Sequence, residues 1–244
     1  MAQSLLRLAV WSGPRNISTA MMRSWGNRPD TAVSDEPLYA HYLKVTGLNH
    51  PGRDEVIARH NTDADRVIRH LTTAIPSEKA IWYQKHMSHH LLPGMDRAWV
   101  HNLTNIFLIR DPREMLPSLL KVYPEAGLPD TGLAQQAELF DHLRDAAGRT
   151  PIVIDAHDVL TDPRAAMTTL CAALAIPFDE AMLSWPSGPR DTDGIWARHW
   201  YSAVHASTGF EPYSPRTDRL EQRHEPLLSQ CLPYYSKLHS VRLR

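Results

Sequence analysis

Cysteine is scarce in this chain. Its 244 residues include two, Cys171 and Cys231, too few for a disulfide framework at this length, and neither has a Cys-x-x-Cys partner. A reducing compartment is the natural expectation. Long apolar runs are also missing: Met1 to Val10 is too short for a secretory signal, and no stretch approaches the roughly 20 apolar residues of a membrane helix. The reading is a cytoplasmic protein. Net charge is nearly absent, with 26 Lys+Arg against 27 Asp+Glu for a formal −1. That argues against a nucleic-acid-coating protein or a basic protein spread on a membrane. The balance belongs to neutral pH, because protonating all 14 histidines would take −1 to +13. Any basic site must therefore be a local cluster.

No repeat, low-complexity tract or linker divides the sequence, so residues 1–244 are expected to form one domain. Hydrophobic residues at 43% and charged residues at 22% allow a sizeable core and exclude wholesale disorder. Leu5 to Trp11 is a short apolar run that stops at Ser12-Gly13-Pro14, as a buried strand stops at a turn, and Ile17, Ala20, Met21 and Trp25 then recur at helical spacing. The pattern repeats with a strand at Thr31 to Ser34 and a helix from Leu38 to Val45, Pro37 standing at its first position. A polar-faced helix is expected over Asp54 to Ile75, and a strand at Ala80 to Tyr83 running into Gln84-Lys85-His86. Asn105 to Ile109 is the clearest buried strand. It ends at Arg110, after which Asp111-Pro112 caps a helix that Pro117 should distort. A helix over Gly132 to Ala147, a strand over Pro151 to Ile154, and helices over Asp162 to Leu174 and Gln222 to Leu238 complete the series. Alternating strands and helices predict an α/β fold with a central parallel sheet covered by helices on both faces.

In such a sheet, ligands sit beyond the carboxyl ends of the strands, where the first strand-to-helix turn presents backbone N–H groups backed by the helix dipole. That turn is Ser12-Gly13-Pro14-Arg15-Asn16-Ile17-Ser18-Thr19. One glycine lets the backbone turn, and one cation and two hydroxyls suit a phosphate or sulfate. It is not the Gly-x-x-x-x-Gly-Lys-Ser/Thr loop of nucleotide kinases.

Pro14-Arg15-Asn16-Ile17-Ser18-Thr19 resembles the 5′-phosphosulfate loop of sulfotransferases that use 3′-phosphoadenosine 5′-phosphosulfate (PAPS), whose usual form is Pro-Lys/Arg-Ser-Gly-Thr/Ser-Thr. Arg110-Asp111-Pro112, with Ser118 eight residues after the Arg, looks like that family's 3′-phosphate motif. Asp158-Val159-Leu160-Thr161-Asp162-Pro163 is similar to its strand-and-turn after the fourth strand. The sequence departs from the family at Ile17, where Gly is usual, and at Ala156-His157, which replaces Tyr-Glu. Its Ser-Gly-Pro-Arg-Asn loop and Gly-Ile-Trp-Ala segment are similar to a branch associated with branched-chain aminotransferase-like sequences.

The resemblance implies a P-loop-type domain that moves a sulfuryl group from PAPS to a hydroxyl or amine of a small-molecule acceptor and releases adenosine 3′,5′-bisphosphate. It implies neither a metal nor a nucleic-acid or membrane partner, and leaves a homodimer open. Gly13, Pro14, Arg15, Asn16, Ile17, Ser18 and Thr19 would hold the 5′-phosphosulfate, with Arg15 on the sulfuryl oxygens. Arg110 and Ser118 would hold the 3′-phosphate, unless Arg110 merely pairs with Asp111 or Glu114. A flap at about 184–212 carries Gly188-Pro189-Arg190 and Gly194-Ile195-Trp196-Ala197-Arg198, from which Gly194 and either Arg190 or Arg198 would reach the cofactor. Trp196, Trp200 and Tyr201 could cover adenine or acceptor, or pack in the core.

Two residues qualify as general base. Glu36, in Asp35-Glu36-Pro37, resembles the carboxylate base of bacterial carbohydrate sulfotransferases. His86 resembles the base of the cytosolic enzymes' Lys-x-His stretch, but Lys85 and His86 are adjacent here, which favours Glu36. Structural alternatives are a helix cap for Glu36 and a packed histidine for His86. His86, His89 and His90 invite a zinc reading, and Ile152-Val153-Ile154-Asp155 imitates a kinase magnesium motif. A small-molecule P-loop kinase and a non-catalytic nucleotide-binding protein are the competing functions.

Overall fold

The computed structural model describes residues 5–74, 79–215 and 220–244. Strands β1 (Leu6–Ser12), β2 (Thr31–Asp35), β3 (Ile81–Met87), β4 (Thr104–Ile109) and β5 (Ile152–Asp155) form one sheet in the order β2-β3-β1-β4-β5. All four pairings are parallel, with Leu8 opposite both Tyr83 and Thr104. The chain leaves β1 toward one edge and later crosses to the other, so the space beyond the carboxyl end of β1 lies at a switch point.

Helices α1 (Ser18–Gly26), α2 (Tyr39–Thr46), α3 (Arg53–Arg59) and α4 (Ala64–Thr73) precede β3. Between β4 and β5 lie α5 (Pro112–Leu120), α6 (Leu128–Thr131) and α7 (Leu133–Ala147). Then follow α8 (Ala156–Thr161), α9 (Pro163–Ala173), the short α10 (Ala197–Trp200) and α11 (Ser202–Ala206), and α12 (Glu225–His239). Side chains alternate across each strand, and the alternation sorts the core into two layers. Trp11, Trp82, Phe107 and Val153 face a layer containing Leu71 of α4, Leu116 of α5, Phe140 of α7 and Tyr235 of α12. Val10, Tyr83, Ile106 and Ile154 face the other, with Trp25 of α1, Leu43 of α2 and Met167 of α9.

Several local expectations are corrected. The helix expected over 54–75 is two helices, because Asp63 accepts the Arg66 N–H and starts α4 afresh; Ile75 lies outside the described residues. Pro37 stands in the turn before α2, whose N-cap is Leu38. Asp155 ends β5 by accepting the His157 N–H at 2.7 Å and the Tyr235 hydroxyl at 2.8 Å. It therefore starts α8, which sequence periodicity missed, and its carboxylate is taken up by these two donors. The Leu243 N–H donates to the Val153 carbonyl at 2.8 Å, covering part of the β5 edge. Among the described residues no helix is long and apolar enough to cross a membrane.

His86 falls on the α7 side of the sheet. Its ring stacks on Trp11 with centroids 4.3 Å apart, lies 6.0 Å from Trp99, and bonds Gln84 Oε1 through Nε2 at 3.3 Å. Burial pushes it down from 6.5 to about 3, with Lys85 adding repulsion. Burial likewise holds His89 at about 3 and His90 well below 6.5. These groups take up protons more readily unfolded than folded as pH drops below 6.5, so stability falls with pH across that window. His86→Phe, which keeps a ring against Trp11, should shallow that fall by up to ~1.4 kcal/mol per pH unit; urea unfolding at pH 7 and pH 5 measures it.

Candidate functional site

A cavity of about 950 Å³ opens at the carboxyl ends of β1, β2, β3 and β4. It is lined by Pro14 to Ala20, by Glu36, Lys85, Arg110 and Ser118, and by flap residues from Trp200 to Pro215. The loop after β1 reaches it because three polar side chains fasten the backbone behind it. Gln136 Nε2 donates to the Trp11 and Leu108 carbonyls at 2.9 and 3.0 Å, Asn16 Nδ2 donates to the Leu108 carbonyl at 3.4 Å, and Trp11 Nε1 donates to Asn105 Oδ1 at 2.8 Å. A side chain at Gly13 would collide with the Thr131 carbonyl, and the Gly13 α-carbon faces Gly132. This glycine is required for close approach rather than for its dihedral angles.

The loop carries strain. Arg15 has φ 62° and Ile17 φ 56°, a left-handed conformation that costs a non-glycine residue ~1–2 kcal/mol. The position where glycine is usual in the resembled loop thus does need a positive φ, and an isoleucine adopts it. Ile17 is also the N-cap of α1, and no side chain caps that helix. The first intrahelical bond runs from the Met21 N–H to the Ile17 carbonyl, so the first-turn amides, with the hydroxyls of Ser18 and Thr19, face the cavity without a side-chain cap.

Three residues distant in sequence meet beside that end. Arg15 Nε donates to Ser118 Oγ at 2.8 Å, and Arg110 Nη1 donates to the Arg15 carbonyl at 3.0 Å. Arg110 is buried and also pairs with Glu114, through Nε and Nη2 at 3.3 and 3.2 Å. The surface-pair alternative for Arg110 therefore accounts for one contact and leaves out its place at the cavity. Tyr213 donates its hydroxyl to the other Glu114 oxygen at 2.6 Å, fastening the flap's end to α5.

Glu36 also lines the cavity, from a buried charge cluster. Lys85 Nζ, with a side chain 1% exposed, donates to Glu36 Oε1 at 2.5 Å, Asp35 Oδ1 at 2.9 Å and the Tyr201 hydroxyl at 2.8 Å. Tyr201 donates in turn to the Asp35 carboxylate at 2.8 Å. Burial alone would push Lys85 down, but Asp35 and Glu36 hold it well above its usual range. Burial raises Glu36, and Asp35 adds to the rise while Lys85 opposes it. Glu36 itself has φ 41° and its N–H donates to the Lys85 carbonyl at 2.9 Å, so it caps no helix with its side chain and its carboxylate is directed into the cluster.

Five anticipated residues are absent from the cavity wall: Gly13, which is packed behind it against the Thr131 carbonyl, and four others. His86 is on the opposite face of β3 from Lys85, because alternation along a strand sends neighbours to opposite sides. Arg190 lies beside α1, near Gly26, with its N–H donating to Asp193 Oδ2 at 2.9 Å. Gly194 is closed over by the Trp196 ring and donates its N–H to Asp35 Oδ2 at 3.0 Å. Arg198 pairs with Glu55 at the surface. The flap docks through acids instead: Asp193 receives Arg23 of α1 in a buried two-pronged pair at 2.5 and 2.6 Å. A bridge between Ser184 and Gly209 closes its base. Trp200 and Tyr201 line the cavity, whereas Trp196 is buried edge-on to Tyr39. Among the described residues, no group of three or more His, Cys, Asp or Glu is placed to hold a metal ion; His89 and His90 line the cavity while His86 packs on Trp11 away from them.

The sequence reading passed over the rings that line the cavity beyond Glu36: Tyr39, Tyr42, His50 and Tyr123. Tyr39 and Tyr42 share a face of α2 by their spacing, a signal that was available. His50 and Tyr123 lie in loops with no such signal.

A sequence profile of the Sulfotransferase domain family matches residues 6–242. Two proteins of Arabidopsis thaliana, branched-chain-amino-acid aminotransferase-like proteins 1 and 2, are 40% identical over 232 residues and 37% identical over 229. Each alignment takes in 94% of this chain but 41% and 40% of those proteins, so the chain spans about two fifths of their length. Two solved structures share the fold. The sulfotransferase from Alicyclobacillus acidocaldarius superposes with a TM-score of 0.56 at 14% identity, over 98% of this chain and 96% of that one. The sulfotransferase domain from the Synechococcus PCC 7002 olefin synthase gives 0.51 at 16% identity, over 94% and 95%.

The close packing of the loop gives a direct test. Gly13→Ala should lower stability by ~1–3 kcal/mol in urea unfolding, as overpacking against backbone does. Gly127→Ala, which meets ordinary contacts alone, should change it by less than ~0.5 kcal/mol.

Proposed function

The chain belongs to the sulfotransferase family, and from that premise we propose that it transfers the sulfuryl group of PAPS to a hydroxyl or amine of a small-molecule acceptor, with Glu36 as general base. The observation that carries the reading is one cavity shared by an uncapped helix end, the Arg15–Ser118–Arg110 cluster and the Lys85-paired Glu36 carboxylate. Its donor set fits the phosphosulfate: backbone amides and hydroxyls for a 5′-phosphate, and guanidinium groups whose flat forks match phosphate and sulfate oxygens. Bound there, PAPS supplies an activated sulfuryl group, and adenosine 3′,5′-bisphosphate is the product.

Gly13 to Thr19 hold the 5′ end through loop amides and the hydroxyls of Ser18 and Thr19. Arg15 brings positive charge to the oxygens on which negative charge grows during transfer. Arg110 and Ser118 bind the 3′-phosphate. Glu36 takes the acceptor's proton at a carboxylate oxygen. Its environment favours that task, because a raised carboxylate is a stronger base than an ordinary one. Lys85 and Asp35 position Glu36, and Tyr201 ties that arrangement to the flap, which excludes water. The buried thiols Cys171 and Cys231 suit a reducing compartment such as the cytoplasm.

Calorimetry with adenosine 3′,5′-bisphosphate tests the donor assignment without the acceptor. It should bind well ahead of adenosine 5′-phosphate, and Arg110→Ala should remove most of that preference. Equal binding of the two, or stabilisation by ATP and magnesium alone, overturns the assignment. With labelled PAPS and a pool of small alcohols and amines, Glu36→Gln should slow transfer by ~10²-fold or more. Wild-type transfer should decline as pH falls through a Glu36 value raised above 4.5, because the protonated carboxyl cannot accept.

A further inference from the structure

The cavity lining carries two kinds of chemistry, with Glu36 also on its wall. The first comes from Arg15, Arg110, Ser118 and the α1 helix end. The second comes from aromatic rings carried by α2, by the loop before α3, by the turn after β3, by the segment after α5 and by α10. His50 stands among four of them, its ring centroid 6.0 Å from Tyr39, 6.1 Å from Tyr42, 6.4 Å from Tyr123 and 6.4 Å from Trp200. His90 packs against Tyr39 and Tyr42 at 5.0 and 4.7 Å.

These rings carry no charge at neutral pH. Burial pushes His50 and His90 down, and raises Tyr39 and Tyr42 far above their usual range. They offer π faces, lone pairs and hydroxyls. Charge at this end comes from Asp130, which lines the cavity and acts on Tyr42, His50 and Tyr123, with Glu125 also acting on Tyr123. One Asp130 oxygen, Oδ2, accepts the Gly127 N–H at 2.8 Å.

Among the described residues, the three cations lining the cavity already have partners. Lys85 is held by Asp35, Glu36 and Tyr201, Arg110 by the Arg15 carbonyl and Glu114, and Arg15 lies on Ser118. An anionic acceptor entering the aromatic end meets Asp130 and Glu36, both repulsive. A neutral acceptor gains apolar contact and hydrogen bonds to the ring hydroxyls, but no charge pairing. An ammonium group gains both the ring quadrupoles and a carboxylate, the combination that selects cations.

We propose that the acceptor is an amino alcohol or similar compound carrying an ammonium group, seated among Tyr39, Tyr42, His50, Tyr123 and Trp200 with its charge toward Asp130 and its hydroxyl toward Glu36. The inference rests on the sulfuryl-transfer reading for where the hydroxyl reacts, but the preference for a cation belongs to the pocket.

Three hydroxyl compounds of nearly equal shape test it: choline, its uncharged isostere 3,3-dimethylbutan-1-ol, and the anion hydroxypivalate. Each is titrated by NMR into the protein with and without adenosine 3′,5′-bisphosphate. Choline should bind ~10-fold more tightly than the neutral alcohol, and hydroxypivalate most weakly. Asp130→Asn keeps an oxygen for the Gly127 N–H and should weaken choline several-fold while leaving the neutral alcohol unchanged. Equal binding of choline and its isostere, tightest binding of the anion, no choline binding at all, or an equal loss of both alcohols in Asp130→Asn overturns the proposal. Failure of adenosine 3′,5′-bisphosphate to bind indicts the donor assignment instead, and the choline comparison made without it still decides this one.

Discussion

A lysine with a side chain 1% exposed keeps its charge in a folded protein when carboxylates surround it, and the arrangement around Lys85 depends on that constraint. Desolvating an ammonium group costs several kcal/mol on its own, so Asp35 and Glu36 must come within hydrogen-bond distance. They come from the end of β2, Lys85 comes from β3, and Tyr201 comes from the flap. One buried cluster therefore fixes the edge strand, positions the carboxylate proposed to act as base, and anchors the segment that covers the cavity. The same geometry explains why Glu36 departs from ordinary backbone angles at φ 41°: the chain must turn at once after β2 to bring two successive carboxylates to one cation.

The loop after β1 shows a second trade of local strain for placement. Arg15 and Ile17 both adopt left-handed angles, and no side chain caps α1. A capping serine or aspartate at position 17 would occupy the amides that an anion needs. The apolar Ile17 leaves them open and packs its side chain among residues of the α1 layer. Gly13, by contrast, is required by the Thr131 carbonyl pressed against it, which ties the loop's position to α6 and α7.

The formal charge of −1 conceals a separation. Positive groups gather where Arg15 and Arg110 meet, while the aromatic end has Asp130 and imidazoles kept neutral by burial. Total charge therefore says little about either proposed ligand; the partition of charge along one cavity says more. The flap arginines play no part in it. Arg198 meets Glu55 at the surface, Arg190 lies beside α1, and the flap is docked by Asp193 on Arg23.

From the sequence alone came the alternation of strands and helices and the positions of the turns after β1 and β4. These were legible because apolar period, turn residues and a helix-starting Asp-Pro are local signals. The single helix expected over 54–75 failed because Asp63 restarts the helix through a side-chain bond that apolar spacing does not register. His86 could not be excluded from the site because every residue of β3 is buried, and a strand buried on both faces has no polar alternation to reveal which side chain points where. Only the tertiary structure decided that Lys85 faces Tyr201 while His86 faces Trp11. It alone gathered Tyr39, His50, Tyr123 and Trp200 into one wall, since those rings come from four segments whose meeting depends on long-range packing, not on anything neighbouring residues share.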